Sequence, residues 1–107
     1  MNGLFSPVGT TQRLDITTTQ ERFALAGLGL MVGGTARLFV DGSDLVFIAF
    51  GDSAVVAAVP ADNGGATGMP IAAGRETGVT VPGGATHLSV ICASGSAKVY
   101  VTSGSGI

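Results

Sequence analysis

The 107-residue chain has no tryptophan, one tyrosine, one histidine and one cysteine, and only 11% of its residues are charged. Each shortage removes a class of function. A single cysteine closes no intramolecular disulfide. Cys92, in Val90-Ile91-Cys92-Ala93, has no neighbouring base or cation to make it a thiolate, so it reads as a small buried hydrophobe. One His and one Cys fall short of the three or four nitrogen and sulfur ligands of a zinc site. Asp41 and Asp44 flank a glycine turn, but the alternating acidic ligands and closing glutamate of a calcium loop are missing. No metal and no cofactor are expected. The longest apolar stretch, residues 23–32, is broken by Gly27 and Gly29 and is about half the ~20 residues a spanning helix needs, so no membrane segment is expected. The opening Met1-Asn2-Gly3-Leu4-Phe5-Ser6-Pro7 has neither the basic region nor the apolar run of a signal peptide, so synthesis and folding in a cytoplasm are expected.

Charge is scarce in both signs. Five Lys and Arg against seven Asp and Glu leave a net charge of −2, the opposite of a nucleic-acid binder's electrostatic footprint. Arg37, Phe39, Lys98 and Tyr100 are the nearest approach to a base-stacking sheet face, too few at this charge to imply a nucleic-acid partner. With 46% hydrophobic residues, the chain is also unlike a disordered tail. Its length allows one domain. An apolar domain this small leaves much apolar surface outside, either as a bland uncharged exterior or covered by copies of itself or by a partner.

What the sequence has in abundance is alternation. Leu14 and Ile16 alternate with Arg13, Asp15 and Thr17; Ala36, Leu38 and Val40 with Arg37, Phe39 and Asp41; Leu88, Val90 and Cys92 with His87, Ser89 and Ile91; Ala97, Val99 and Val101 with Lys98, Tyr100 and Thr102. A period of two with one apolar face marks half-buried antiparallel strands. Residues 45–50 are apolar throughout, as in a central strand covered on both faces. About eight strands are predicted, at 10–18, 21–26, 35–41, 44–50, 54–59, 76–81, 86–93 and 96–102, with 54–59 equally readable as a helical turn. Asp41-Gly42-Ser43-Asp44 and Ser94-Gly95 look like hairpin connections. Pro60–Gly68 is read as the one long exposed loop. The expected fold is an all-β, antiparallel two-sheet sandwich, with a jelly roll preferred to an immunoglobulin-like sandwich because there is no Trp and no Cys pair. Residues 1–9 are expected to form an N-terminal arm and 10–107 a single sandwich domain.

Catalytic chemistry finds little to stand on. His87 falls on the outward face of its strand, and Cys92, five positions on, on the other face. Gly27-Leu28-Gly29-Leu30-Met31-Val32-Gly33-Gly34 lacks the preceding parallel strand and following helix of a nucleotide loop; it reads as a flexible inter-strand connection with a hydrophobic side. No catalytic residue is assigned and no enzymatic activity is expected. What remains is an interface pattern: Phe39, Ile91 and Tyr100 on outward strand faces, with Leu4 and Phe5 in the arm, are the candidate protein-contact residues.

Several segments resemble small structural proteins from tailed-phage head and tail gene clusters. They are Ser6-Pro7-Val8-Gly9-Thr10-Thr11-Gln12-Arg13-Leu14, Phe50-Gly51-Asp52-Ser53, Met69-Pro70-Ile71-Ala72-Ala73-Gly74, Pro82-Gly83-Gly84-Ala85-Thr86-His87-Leu88, and the stretch from Ala93 to Thr102. Within that group the chain is most similar to capsid cement (decoration) proteins of the Bordetella phage type. The resemblance implies a jelly-roll sandwich that forms a homodimer, binds the outside of the major capsid protein lattice and resides on the virion. It assigns no catalytic residues. A tail or head–tail joining component and a small carbohydrate-binding β-sandwich are the alternatives.

Overall fold

The computed structural model describes residues 6–42 and 44–105. Eight strands form two antiparallel four-stranded sheets. They are β1 (Ser6–Ile16), β2 (Glu21–Ala24), β3 (Thr35–Gly42), β4 (Val46–Gly51), β5 (Met69–Ile71), β6 (Glu76–Thr80), β7 (His87–Cys92) and β8 (Ala97–Ser105). One sheet has the order β1-β8-β3-β6 and the other β2-β7-β4-β5. The expected all-β sandwich is present. Strands pair β1 with β8, β2 with β7, β3 with β6 and β4 with β5, as in one long hairpin whose tip joins β4 to β5. The hairpin is wound so that its legs alternate between the sheets, and β3–β8 and β4–β7 pairs complete them.

The apolar set of each alternating strand meets in the middle. Leu38, Val40, Val46, Leu88, Val90 and Val99 have no exposed surface at all. Strand β4 is buried on both faces, as its unbroken apolar run predicts: Val46 and Ile48 point into the core, and Phe47 and Ala49 are 7% and 8% exposed on the outside. Their cover is the long β4–β5 connection. Within it Ala57 is buried and its N–H donates to the Ser89 hydroxyl at 2.8 Å, which in turn donates to Gln20 Oε1 at 2.5 Å.

Several expectations need correction. Residues 54–59 form neither strand nor helix: Val55 N–H bonds Asp52 O and Ala58 N–H bonds Thr67 O within the loop, while Ala57 N–H and Val55 O are met by the Ser89 and Arg22 side chains, so the backbone is satisfied without a ladder. The eighth strand is instead β5, hidden from a sequence reading by its length of three residues and by Pro70, which only an edge strand tolerates. The strand expected over 21–26 stops at Ala24, and a 3-10 turn, Leu25–Leu28, follows, closed by Gly29 at φ +72°. Strand β1 starts at Ser6, paired with Ser105, so residues 6–9 belong to the sheet and not to an arm. Neither Asp41–Asp44 nor Ser94-Gly95 is a hairpin: each carries the chain from one sheet to the other, because β3 is flanked by β8 and β6, and β4 by β7 and β5. Turn residues alone do not distinguish the two geometries.

These two arches lie side by side and are tied by Asp44. Its carboxylate accepts from Ser94 Oγ at 2.5 Å and from the Leu45 N–H at 2.7 Å, and these bonds hold its pKa below the ordinary 3.8. A depressed carboxyl contributes stability that is full above 3.8 and is lost as pH falls through the lower folded value. In melting curves collected against pH, Asp44→Asn is therefore expected to lower the melting temperature near neutrality, where the contribution is full, and to flatten the acid limb below pH 3.8, where the two chains converge. An acid limb identical to that of the unsubstituted chain would count against the tie.

Candidate functional site

Two surfaces combine exposed apolar side chains with a defined geometry; Val56, Val59 and Met69 are also exposed, around the β4–β5 connection. The first is the outer face of the β1-β8-β3-β6 sheet, where the outward residues of four strands come into register. One row across it reads Arg13, Tyr100, Phe39, Glu76; the row on one side reads Asp15, Lys98, Asp41, and that on the other Thr11, Thr102, Arg37, Gly78. Phe39 and Tyr100 are directly opposed on neighbouring strands, with ring centroids 6.5 Å apart and planes inclined at 39°. Phe39 is 39% exposed and Tyr100 is half-buried. Around them lie the ion pairs Arg13–Asp15 at 3.4 Å and Arg37–Glu76 at 3.2 Å, and a Thr11–Thr102 hydroxyl contact of 2.7 Å. Six of the chain's charged residues fall on this face, three of each sign, around an aromatic centre.

The second surface is the end of the sandwich where β2 leads into β3. The connection is held in a fixed shape by its backbone. Gly34 N–H bonds Met31 O at 2.9 Å, Gly33 N–H bonds Val81 O at 3.0 Å, and Val81 N–H bonds Gly34 O at 2.9 Å. Gly33, third residue of the Met31–Gly34 turn, has φ +84°, the conformation for which such a turn needs glycine. A side chain at Gly34 would come within 3.1 Å of Met31 O. The turn thus presents Met31 and Val32 outward, 75% and 52% exposed. Beside them a shallow groove of about 180 Å³ is lined by Gly29, Thr35, Ser103 and Gly104. Between Arg22 and Arg37 the chain has no charged residue, and none lies between Glu76 and Lys98 or after Lys98. That end of the molecule consequently carries little charge, Asp52 after the end of β4 being its exception, whereas Asp15, Asp41, Asp44 and Lys98 gather at the opposite one.

The candidate contact residues are only partly brought together. Phe39 and Tyr100 share one patch. Ile91 does not join it: it lies on β7 in the other sheet, opposite Phe47, on the face that the β4–β5 connection overlies. Leu4 and Phe5 lie outside the described residues. Met31 and Val32 were not singled out by the sequence, although an apolar pair fenced by glycines was their signal. His87 is half-buried, with Nδ1 2.8 Å from its neighbour's Thr86 hydroxyl, and Cys92 is buried with its thiol directed to Ser94 O at 3.0 Å. Among the described residues no three His, Cys, Asp or Glu side chains cluster as metal ligands, and no helix is long and apolar enough to cross a membrane. The chain matches no family model, no curated protein and no solved structure.

Proposed function

We propose that this is a non-enzymatic virion structural protein, a cement or decoration protein that seats its weakly charged, apolar end on the outside of a major capsid protein lattice. We take the sandwich as a jelly roll in preference to an immunoglobulin-like one, a reading that the wound-hairpin pairing supports. The observation that carries the function is the rigid display of Met31 and Val32 on an end with little charge. Large exposed apolar side chains on a small soluble domain mark a contact surface when they are contiguous and held in place. The sequence resemblance to capsid cement proteins supports the same reading.

The mechanism needs no chemistry. A protein that binds an assembled shell but not its dissociated subunits stabilises the shell by mass action, by RT ln(1 + [L]/Kd) for each site. A shell repeats that site many times, so a modest affinity per copy suffices, and a two-fold pair of chains doubles the footholds. The test is sedimentation of the purified chain with assembled shells that lack it, followed by heating. Saturable binding and a higher disruption temperature are the expected outcome. A chain that stays in the supernatant at saturating concentration would overturn the proposal and turn attention to tails and to glycans.

A further inference from the structure

We infer that the outer face of the β1-β8-β3-β6 sheet is a self-complementary dimer interface, with the two-fold axis running along the strands between β8 and β3. The argument is one of register. An axis in that position lays β8 of one copy over β3 of the other, and β1 over β6. Arg13 then faces Glu76 of the second copy, Lys98 faces its Asp41, and Tyr100 faces its Phe39, each contact occurring twice. In the remaining row Thr102 faces Arg37 and Thr11 faces Gly78, so no like charges meet. The perpendicular choice, an axis along the central row, sets Arg13 on Arg13 and Glu76 on Glu76. Of these two axes, the one along the strands sets four of the six charges, Arg13, Glu76, Lys98 and Asp41, against opposite charges and none against its like.

The occupant is therefore a second copy of this chain. An aromatic centre with charges at its margin matches the anatomy of protein interfaces, in which charge is depleted from the core and retained at the rim. Two equivalent twisted sheets also pack well with nearly aligned strands, as this axis requires. Four strands spaced about 4.8 Å apart and eight or so residues long project about 500 Å², below the roughly 800 Å² per partner of a standard interface. The dimer is accordingly of modest affinity and concentration-dependent. The inference deepens the homodimer element of the decoration proposal and rests on it for biological context. Its test contains no shell, so the two fail separately.

The register specifies a pair of complementary variants. In a Lys98→Asp chain, acidic residues 98 and 41 would oppose each other across the axis. In an Asp41→Lys chain both would be basic. Each variant alone is expected to dimerise at least about tenfold more weakly than the unsubstituted chain in sedimentation velocity. An equimolar mixture should recover to within about threefold, because both cross-axis contacts are then of opposite sign. Circular dichroism checks that each variant folds. A readout that needs no variant is also available, since Tyr100 is the only tyrosine and tryptophan is absent. Quenching of its fluorescence by acrylamide should fall as concentration rises through the dimerisation range. A monomer up to millimolar concentration, a dimer whose Tyr100 stays as accessible as before, or a mixture no better than its components would each overturn the inference.

Discussion

Replacing Met31 and Val32 together by aspartate is expected to weaken binding to assembled shells by about 30-fold or more, with little change in melting temperature. The two effects separate for a physical reason. Both side chains project into solvent, 75% and 52% exposed, so the folded chain gains little from them, and surface substitutions of this kind usually stay within about 0.5 kcal/mol. The turn that carries them is held by backbone hydrogen bonds to Val81 and between Gly34 and Met31, none of which involves their side chains. Against a shell the position is reversed. A buried anchor residue contributes about 2 kcal/mol or more to an interface, a factor of about 30 in affinity. An introduced carboxylate adds the cost of leaving a charge unpaired in an apolar contact. Sedimentation with shells at graded concentrations reads the loss. Binding as tight as that of the unsubstituted chain would remove this end from the contact.

The second large effect is in the core. Leu38→Ala is expected to lower the unfolding free energy by about 2–5 kcal/mol, out of a total of about 5–15 for a domain of this size. Leu38 has no exposed surface and sits on β3, which is hydrogen-bonded on both sides, with Val101 on β8 and Thr77 on β6 as its cross-strand neighbours. Strands on both sides limit how far β3 can move to fill the cavity, which places the cost well above a simple transfer energy. At about 4–8 °C per kcal/mol, the melting temperature should fall by at least about 10 °C. Urea unfolding at one fixed protein concentration measures the difference without interference from association. Phe39, one residue along, points the other way and is 39% exposed, so truncating it serves as the control with a much smaller effect on folding. Equal losses at the two positions would mean that the alternation of β3 had been misassigned.

That alternation is also where the sequence was most informative. A period of two sorts inward from outward residues strand by strand, and Leu14, Leu38, Val90 and Val99 are all buried where it places them. It carries no information about which sheet a strand joins. For that reason Phe39 and Tyr100 turned out to be neighbours while Ile91, with the same outward signature, went to the opposite side of the molecule. Glycine turns were equally silent on hairpin versus arch, since Asp41–Asp44 and Ser94-Gly95 satisfy their local preferences in either. Residues 54–59 misled for another reason. Their Ala and Val side chains are suited to covering Phe47 and Ala49 from outside the sheet, and a covering loop and a buried strand draw on the same residues. Met31 and Val32 needed the fold, because only the hydrogen bonds to Val81 show that a glycine-rich connection is rigid.

The wound hairpin also governs the time course of folding. Its tip joins β4 to β5 across a long connection that is still the smallest sequence separation of the four nested pairs, whereas β1 and β8 meet across most of the sequence, as at Thr11 and Thr102, 91 positions apart. Contacts of such long range have a high loop-closure cost, so the order of events runs outward from the tip, with β1 and β8 joining late. Refolding is then expected in milliseconds to seconds rather than microseconds. On the ribosome β8 emerges after both β1 and β3, to each of which it supplies a partner, so one sheet stays incomplete until β8 is available. Until that moment β1 and β3 both expose unpaired edges that later become the inside of a sheet. The wait for β8 is therefore the stage of folding at which this sheet is most open to pairing with another chain.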